Sequence, residues 1–291
     1  MIQIDKKEFI EQLQQENSDY NSCSQSENIA NALDTLSDDI YSEDERFIYE
    51  LIQNADDAYD LSGNGVNILI EFTSNFIILS HTGKEFTEQD IRAICGVGSS
   101  QKSKDTNKTG YKGIGFKSVF GKSNYVCINS KGYCFRFDKE FWQQQPKEDD
   151  KQIKRPWQII PIWTNINEIS ELSQISSVNT RDYQVSTAIK YKNTQKLQED
   201  LLRLLEHPQI MLFLRNVNQI KIRSNDRTVL KVEKEVSGND HVILKRDDNI
   251  ESQWIKKDFD QVKIDKAIQK KIKQDDKFPK KLKEAKFTRI S

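Results

Sequence analysis

No stretch of the 291-residue chain is apolar for the length of a membrane span, so no transmembrane helix is expected. An excess of one charge sign is missing as well. The chain carries 44 Lys and Arg against 45 Asp and Glu, a formal net charge of -1, and without a basic excess no clear nucleic-acid site is expected. Four cysteines (Cys23, Cys95, Cys127, Cys134) stand far apart with no Cys-x-x-Cys pair, and three histidines (His81, His207, His241) are too scattered to join them. That argues against a zinc module and for reduced thiols in a cytoplasmic protein, or a nuclear one if the source is eukaryotic. The opening residues MIQIDKKEFIEQLQQENSDY are polar and acidic, unlike a secretory signal or an Arg-rich transit peptide. What is present, 36% apolar and 31% charged residues, describes a soluble chain with a modest core.

Residues 1–24 read as a polar leader, loosely docked. In 26–40, Ile29, Ala32, Leu33, Leu36 and Ile40 recur at three- and four-residue steps, which predicts an amphipathic helix; a second helix is expected over 43–59. Apolar runs at 66–72 and 76–79, parted by Thr73-Ser74-Asn75, predict a hairpin. A helix over 87–94 with Thr87 as its cap follows. The Gly/Ser/Lys-rich stretch 96–113 then lacks apolar period, and a loop of that length inside a domain is usually functional. A helix is expected from Gly115, strands at 125–129 and 133–137 around Lys131-Gly132, and a polar connector at 143–155. Further strands are expected at 157–163, 185–191, 210–214, 217–223, 228–236 and 241–245, and helices at 194–206 and 261–273.

Three segments carry chemistry. In Glu50-Leu51-Ile52-Gln53-Asn54-Ala55-Asp56-Asp57-Ala58, a helical turn of about 100° per residue sets Asn54 about 40° from Glu50 and Asp57 about 20° to its other side. The polar strip they form borders the apolar strip of Ile48, Leu51, Ala55 and Ala58, at the rim of a buried face. Asp56 is expected on the solvated side. Glu, Asn and Asp together offer a water-activating base, a neutral oxygen ligand for magnesium and a carboxylate for polar contacts. In Thr109-Gly110-Tyr111-Lys112-Gly113-Ile114-Gly115-Phe116-Lys117, three glycines let the backbone approach a ligand and turn its N–H groups inward, with a helix start behind them. Lys112 and Lys117 are expected to add positive charge. The third segment is Ser80-His81-Thr82-Gly83-Lys84-Glu85, a small turn at a strand end where a base could sit. Taken singly, the three also read as a surface helix, a plain loop and a strand-to-helix connection.

In this order the segments resemble the Bergerat ATP site of the GHKL family, which includes gyrase, the heat-shock-90 chaperones, histidine kinases and MutL. IYELIQNADDA resembles the chaperones' N box and TGYKGIGFKSVF their second glycine box. ALDTLSDDIYSEDERFIYELIQNADDA, AICGVGSS, KGIGFKSVF and GYCFRFD are similar to the NO VEIN/sacsin-type ATP-binding module within that family. The likeness is strong over about 28–140 and looser over 185–223.

The resemblance implies an α/β fold, a two-layer Bergerat sandwich whose mixed, mostly antiparallel sheet carries helices on one face. It implies ATP and Mg2+ as ligands, with Glu50 as general base and Asn54 as magnesium ligand. Asp57, His81 and Gly83 would lie near the nucleotide. Residues 96–109, including Ser99, Ser100 and Lys102, would form the mobile lid, and Gly110, Tyr111, Lys112, Gly113, Ile114, Gly115 and Phe116 the phosphate cradle. One position departs from the family pattern. His81 stands where an aspartate usually reads the adenine amino group, and Glu85 replaces the motif's second glycine. The ATP-binding domain is expected over 25–215, with 216–291 opening a second α+β unit that continues in a longer protein. The implied activity is slow, Mg-dependent ATP hydrolysis as a conformational switch in a chaperone-like or defence-like protein. It would act through a C-terminal effector region or partner, with a nucleotide-dependent homodimer. The alternative is a nucleotide-sensing module without significant hydrolysis.

Overall fold

The computed structural model describes residues 5–20, 22–39, 46–59, 65–96, 115–145, 154–173, 175, 178, 182–225, 227–238, 241–255, 259–263 and 287–290. The elements are α1 (Lys6–Ser18), α2 (Cys23–Asp39), α3 (Arg46–Asp57), β1 (Val66–Phe72), β2 (Phe76–His81), α4 (Glu88–Ile94), β3 (Tyr125–Ser130), β4 (Tyr133–Asp138) and α5 (Lys139–Gln144). They continue with β5 (Ile162–Trp163), α6 (Ser170–Ser173), β6 (Val185–Lys190), α7 (Thr194–Leu205), β7 (Val217–Ser224), β8 (Arg227–Ser237), β9 (His241–Arg246), β10 (Asn249–Ile255), β11 (Phe259–Lys263) and β12 (Phe287–Ile290). The protein is a mixed α/β structure around a ten-stranded sheet of order β10-β9-β8-β7-β1-β2-β6-β3-β4-β5. Every neighbouring pair in that sheet is antiparallel except β1 with β7.

Local chemistry sets the element ends where the sequence analysis expects them. Thr73 Oγ1 accepts from the Phe76 N–H at 2.9 Å and closes the β1–β2 hairpin. Thr87 caps α4 in a reciprocal box with Asp90, whose carboxylate accepts the Thr87 N–H at 2.9 Å. On α7, Leu197, Leu201 and Leu205 recur every fourth residue and are all buried.

The strands alternate between two apolar layers, as a period of two requires. Ile77, Leu79, Val126, Ile128 and Ile189 face the main core with α1, α3, α4 and α7. Phe76, Ile78, Cys127 and Ala188 face the opposite way, onto Ile166, Leu172 and Ile175. Helices on one face are therefore only part of the cover, because α6 and its flanks close the other face over the sheet centre.

Several expectations are corrected. The leader is no loose appendage: Phe9, Ile10 and Leu13 of α1 enter the main core. No boundary falls at 215, since β7 lies beside β1, and its Val217, Ile220 and Ile222 share a core with Val66, Ile68 and Ile70. The strand expected at 210–214 is replaced by a 3-10 turn, Pro208–Leu212, where proline fixes the backbone angle and lacks an N–H for a ladder. Likewise Pro156 and Pro161 cut the run at 157–163 into a 3-10 turn, Trp157–Ile159, and the two-residue β5. The segment from Gly115 is a 3-10 helix, Gly115–Gly121, in which Ser118 Oγ donates to the Gly115 carbonyl at 2.6 Å. Residues 259–263 form a strand, not the start of a helix; 264–273 lie outside the described residues.

Candidate functional site

Helix α3 is amphipathic in a strict sense: Phe47, Ile48, Leu51, Ile52 and Ala55 are buried in the main core, while Glu50 and Asn54 are only partly covered. Glu50 reaches the first residue of the Gly115–Gly121 3-10 helix. A Cβ on Gly115 would overlap Glu50 Oε2, the far end of a flexible side chain, so with glycine here the carboxylate rests directly against the backbone. Val119 and Phe120 anchor that 3-10 helix in the core, and Phe116 packs edge-on to Phe120 at 5.8 Å. The other end of α3 meets the turn after β2. Lys84 N–H donates to the Ala58 carbonyl at 2.6 Å, and a Cβ on Gly83 would stand 2.6 Å from the same oxygen. Eight residues, about 12 Å of helical rise, thus separate two close contacts made at glycines. Asn54 lies between them, and Asp57, buried, lies at the Gly83 end.

His81 ends β2, paired with Ile68 of β1 and Val185 of β6. It is 5% exposed, and its Nδ1 has no hydrogen-bond partner. Burial lowers its pKa from 6.5 to about 4, so the imidazole is neutral at pH 7. Of the expected site residues, Glu50, Asn54, Asp57, His81, Gly83, Gly115 and Phe116 are described, and α3 brings Glu50 to Gly115 and its own C-terminus to Gly83. Ser99, Ser100, Lys102, Gly110, Tyr111, Lys112, Gly113 and Ile114 lie outside the described residues.

Two expectations fail here. Asp56 is not solvated. It is 3% exposed, and its carboxylate accepts the backbone N–H groups of Arg215, Asn216 and Val217 at 3.1, 2.7 and 3.0 Å. A signal was available in the sequence: two acids in the last turn of a helix face the negative end of its dipole and need donors from elsewhere. Lys117 does not add charge to a cradle. Its ammonium turns inward and donates to the carbonyls of Ile94 and Gln158, the latter at 3.0 Å. Burial lowers its pKa to about 8, an effect offset in part by the neighbouring Cys95. The thiol of Cys95 is itself pushed up to about 12 by burial.

Among the described residues no group of three or more His, Cys, Asp and Glu could hold a metal ion by itself, and no helix is long and apolar enough to cross a membrane.

The fold and site define a mixed α/β protein in which one helix bridges two glycine turns. No family model matches the chain. It is 31% identical over 220 residues to Protein NO VEIN of Arabidopsis thaliana, a match that covers 72% of this chain and 8% of that protein. The chain thus spans a small part of its relative's length.

Proposed function

We propose that the chain is a magnesium-dependent ATP-binding module of GHKL type that hydrolyses ATP slowly and switches a larger protein. The observation that carries the reading is the packing of Glu50 against Gly115, which joins the two motif segments 65 positions apart at one point. The residues are suited to the ligand. The Glu50 carboxylate would accept a proton from the attacking water, at the start of the segment whose preceding glycines are the expected phosphate cradle. Asn54, one turn on, would hold magnesium through its side-chain oxygen; bound metal supplies charge neutralisation across the phosphates. The turn at Gly83 leaves no side chain between the C-terminal end of α3 and the backbone. His81 close by offers one unpartnered nitrogen and no charge at pH 7. A cytoplasmic location, an effector region or partner and a nucleotide-dependent homodimer belong to the same proposal.

The test compares ATP binding and steady-state phosphate release in wild type and Glu50→Ala, in the longest active form of the protein. Turnover is expected to fall about 10²–10⁴-fold while affinity stays within a few-fold. Unchanged turnover places the base elsewhere. Binding without turnover in wild type makes the chain a nucleotide sensor. No ATP binding overturns the reading.

A further inference from the structure

On the sheet face turned away from α3, two cysteines meet on neighbouring strands. Cys127 of β3 pairs with Arg136 of β4, and Asn129 pairs with Cys134, so Cys127 and Cys134 are diagonal neighbours on one face. Cys127 is 1% exposed and packs with Ile166, Leu172 and Ile175. The half-buried Cys134 packs against the same group, and both are free thiols.

The two sulfurs are not equivalent. The Cys127 thiol donates to the Cys134 sulfur, which also accepts the Ile166 backbone N–H, and Arg136 stands near both. Arg136 is held there by donating to Asp138 Oδ2 at 3.3 Å and to Thr164 Oγ1. The hydrogen bond from Cys127 lowers the Cys134 pKa; burial opposes it, and the Ile166 N–H and Arg136 add to it. The same hydrogen bond, together with burial, raises the pKa of Cys127. Cys134 therefore gives up its proton first. A thiolate is the reactive form, and a partly exposed one beside a second thiol is the arrangement that peroxides oxidise.

We propose that Cys134 is a site of oxidation by hydroperoxides, with Cys127 as the thiol that resolves it. The Cys134 thiolate attacks a peroxide oxygen: an S–O bond forms, the O–O bond breaks, the sulfur gives up two electrons and hydroxide or alkoxide leaves. The Cys127 sulfur then attacks the Cys134 sulfur, the S–O bond breaks, and hydroxide departs with the Cys127 proton as water. The product is a Cys127–Cys134 disulfide. Diagonal α-carbons stand about 7–8 Å apart and a disulfide spans about 4.4–6.8 Å, so the strands must close slightly. β4 can follow, because its outer neighbour, β5, is two residues long.

Peptide mapping of the reduced protein after exposure to hydrogen peroxide near pH 7, digested without reductant, tests the proposal. Exposed Cys23 serves as the reference thiol in the same molecule. Two of the four thiols are expected to be lost as a Cys127–Cys134 link, about tenfold faster than Cys23 is oxidised, since an ordinary thiol is only a few per cent thiolate at this pH. In Cys127→Ala the reaction should stop at the sulfenic acid, trapped on Cys134 by dimedone. In Cys134→Ala, Cys127 should stay a thiol. Circular dichroism checks the fold of each variant; if Cys127→Ala does not fold, the wild-type link and Cys134→Ala, at the partly exposed position, carry the test. The proposal is overturned by any of four results: Cys134 oxidised no faster than Cys23, no Cys127–Cys134 link in wild type, dimedone on Cys127 in place of Cys134, or oxidation of Cys127 in folded Cys134→Ala.

Discussion

The carboxylate of Glu50 lies directly against the α-carbon of Gly115, so the Glu50 side chain alone fills the space between the middle of α3 and the first residue of the 3-10 helix. The space a Cβ would need at Gly115 is taken by Glu50 Oε2, the mobile end of a long side chain. Gly115→Ala should therefore leave the fold intact, within about 1 kcal/mol, because the Glu50 side chain can swing aside. Under the proposed function, phosphate release falls in the same variant because the base is displaced. Urea denaturation alongside turnover checks both halves. A stable Gly115→Ala protein with wild-type turnover would show that the position of this carboxylate does not matter.

Asp56 is the clamp between α3 and β7. Removing it leaves three backbone N–H groups, the Val217 one buried and the Arg215 and Asn216 ones part-buried, without that acceptor, and hydrogen bonds to a charged group are the stronger kind. Asp56→Ala is expected to cost about 3 kcal/mol or more in urea denaturation, and Asp56→Asn less, because one oxygen remains. A loss within about 0.5 kcal/mol, typical of a solvated surface aspartate, would contradict the clamp.

His81 makes stability depend on pH. Its folded pKa, about 4, lies below the ordinary 6.5, so on acidification the unfolded chain takes up the proton first. The stabilising effect is complete above 6.5 and is lost as pH falls toward 4. Between pH 7 and pH 5 it amounts to about 2 kcal/mol. The difference in unfolding free energy between wild type and His81→Gln should narrow by that amount over this interval. A constant difference would mean that the imidazole is open to water.

Lys117 acts in the opposite pH range. Its pKa is lowered from 10.5 to about 8 by burial, so between these values the unfolded chain holds more protons and the fold gains stability as pH rises. Lys117→Met keeps the length and removes the titration. Wild type is expected to gain about 2 kcal/mol relative to that variant between pH 7.5 and 9.5. A flat difference would place the ammonium in solvent.

Much of this architecture is legible in the sequence because it depends on neighbours a few residues apart. The apolar spacing of α2 and α7, the Thr73 hairpin and the Thr87 cap are all local. The strip of Glu50 and Asn54 beside a buried face is legible for the same reason. Asp56 was misplaced because helix geometry gives the direction a residue leaves the axis but not what waits there. The backbone of 215–217 arrives from about 160 positions away. Lys117 was misread similarly: a lysine beside glycines suggests an anion site, whereas two carbonyls and two aromatic rings draw it inward.

By itself the sequence determined the local helices and hairpins, the lack of an apolar run as long as a membrane span and the residue types offered for nucleotide chemistry. These follow from periodicity, capping and composition, which are short-range. Only the tertiary structure decided that β7 joins the sheet beside β1, that α1 completes the core and that Glu50 meets Gly115. Such contacts are set by how strands pair and which apolar faces close over them, and segments far apart in the chain carry no short-range signal of one another.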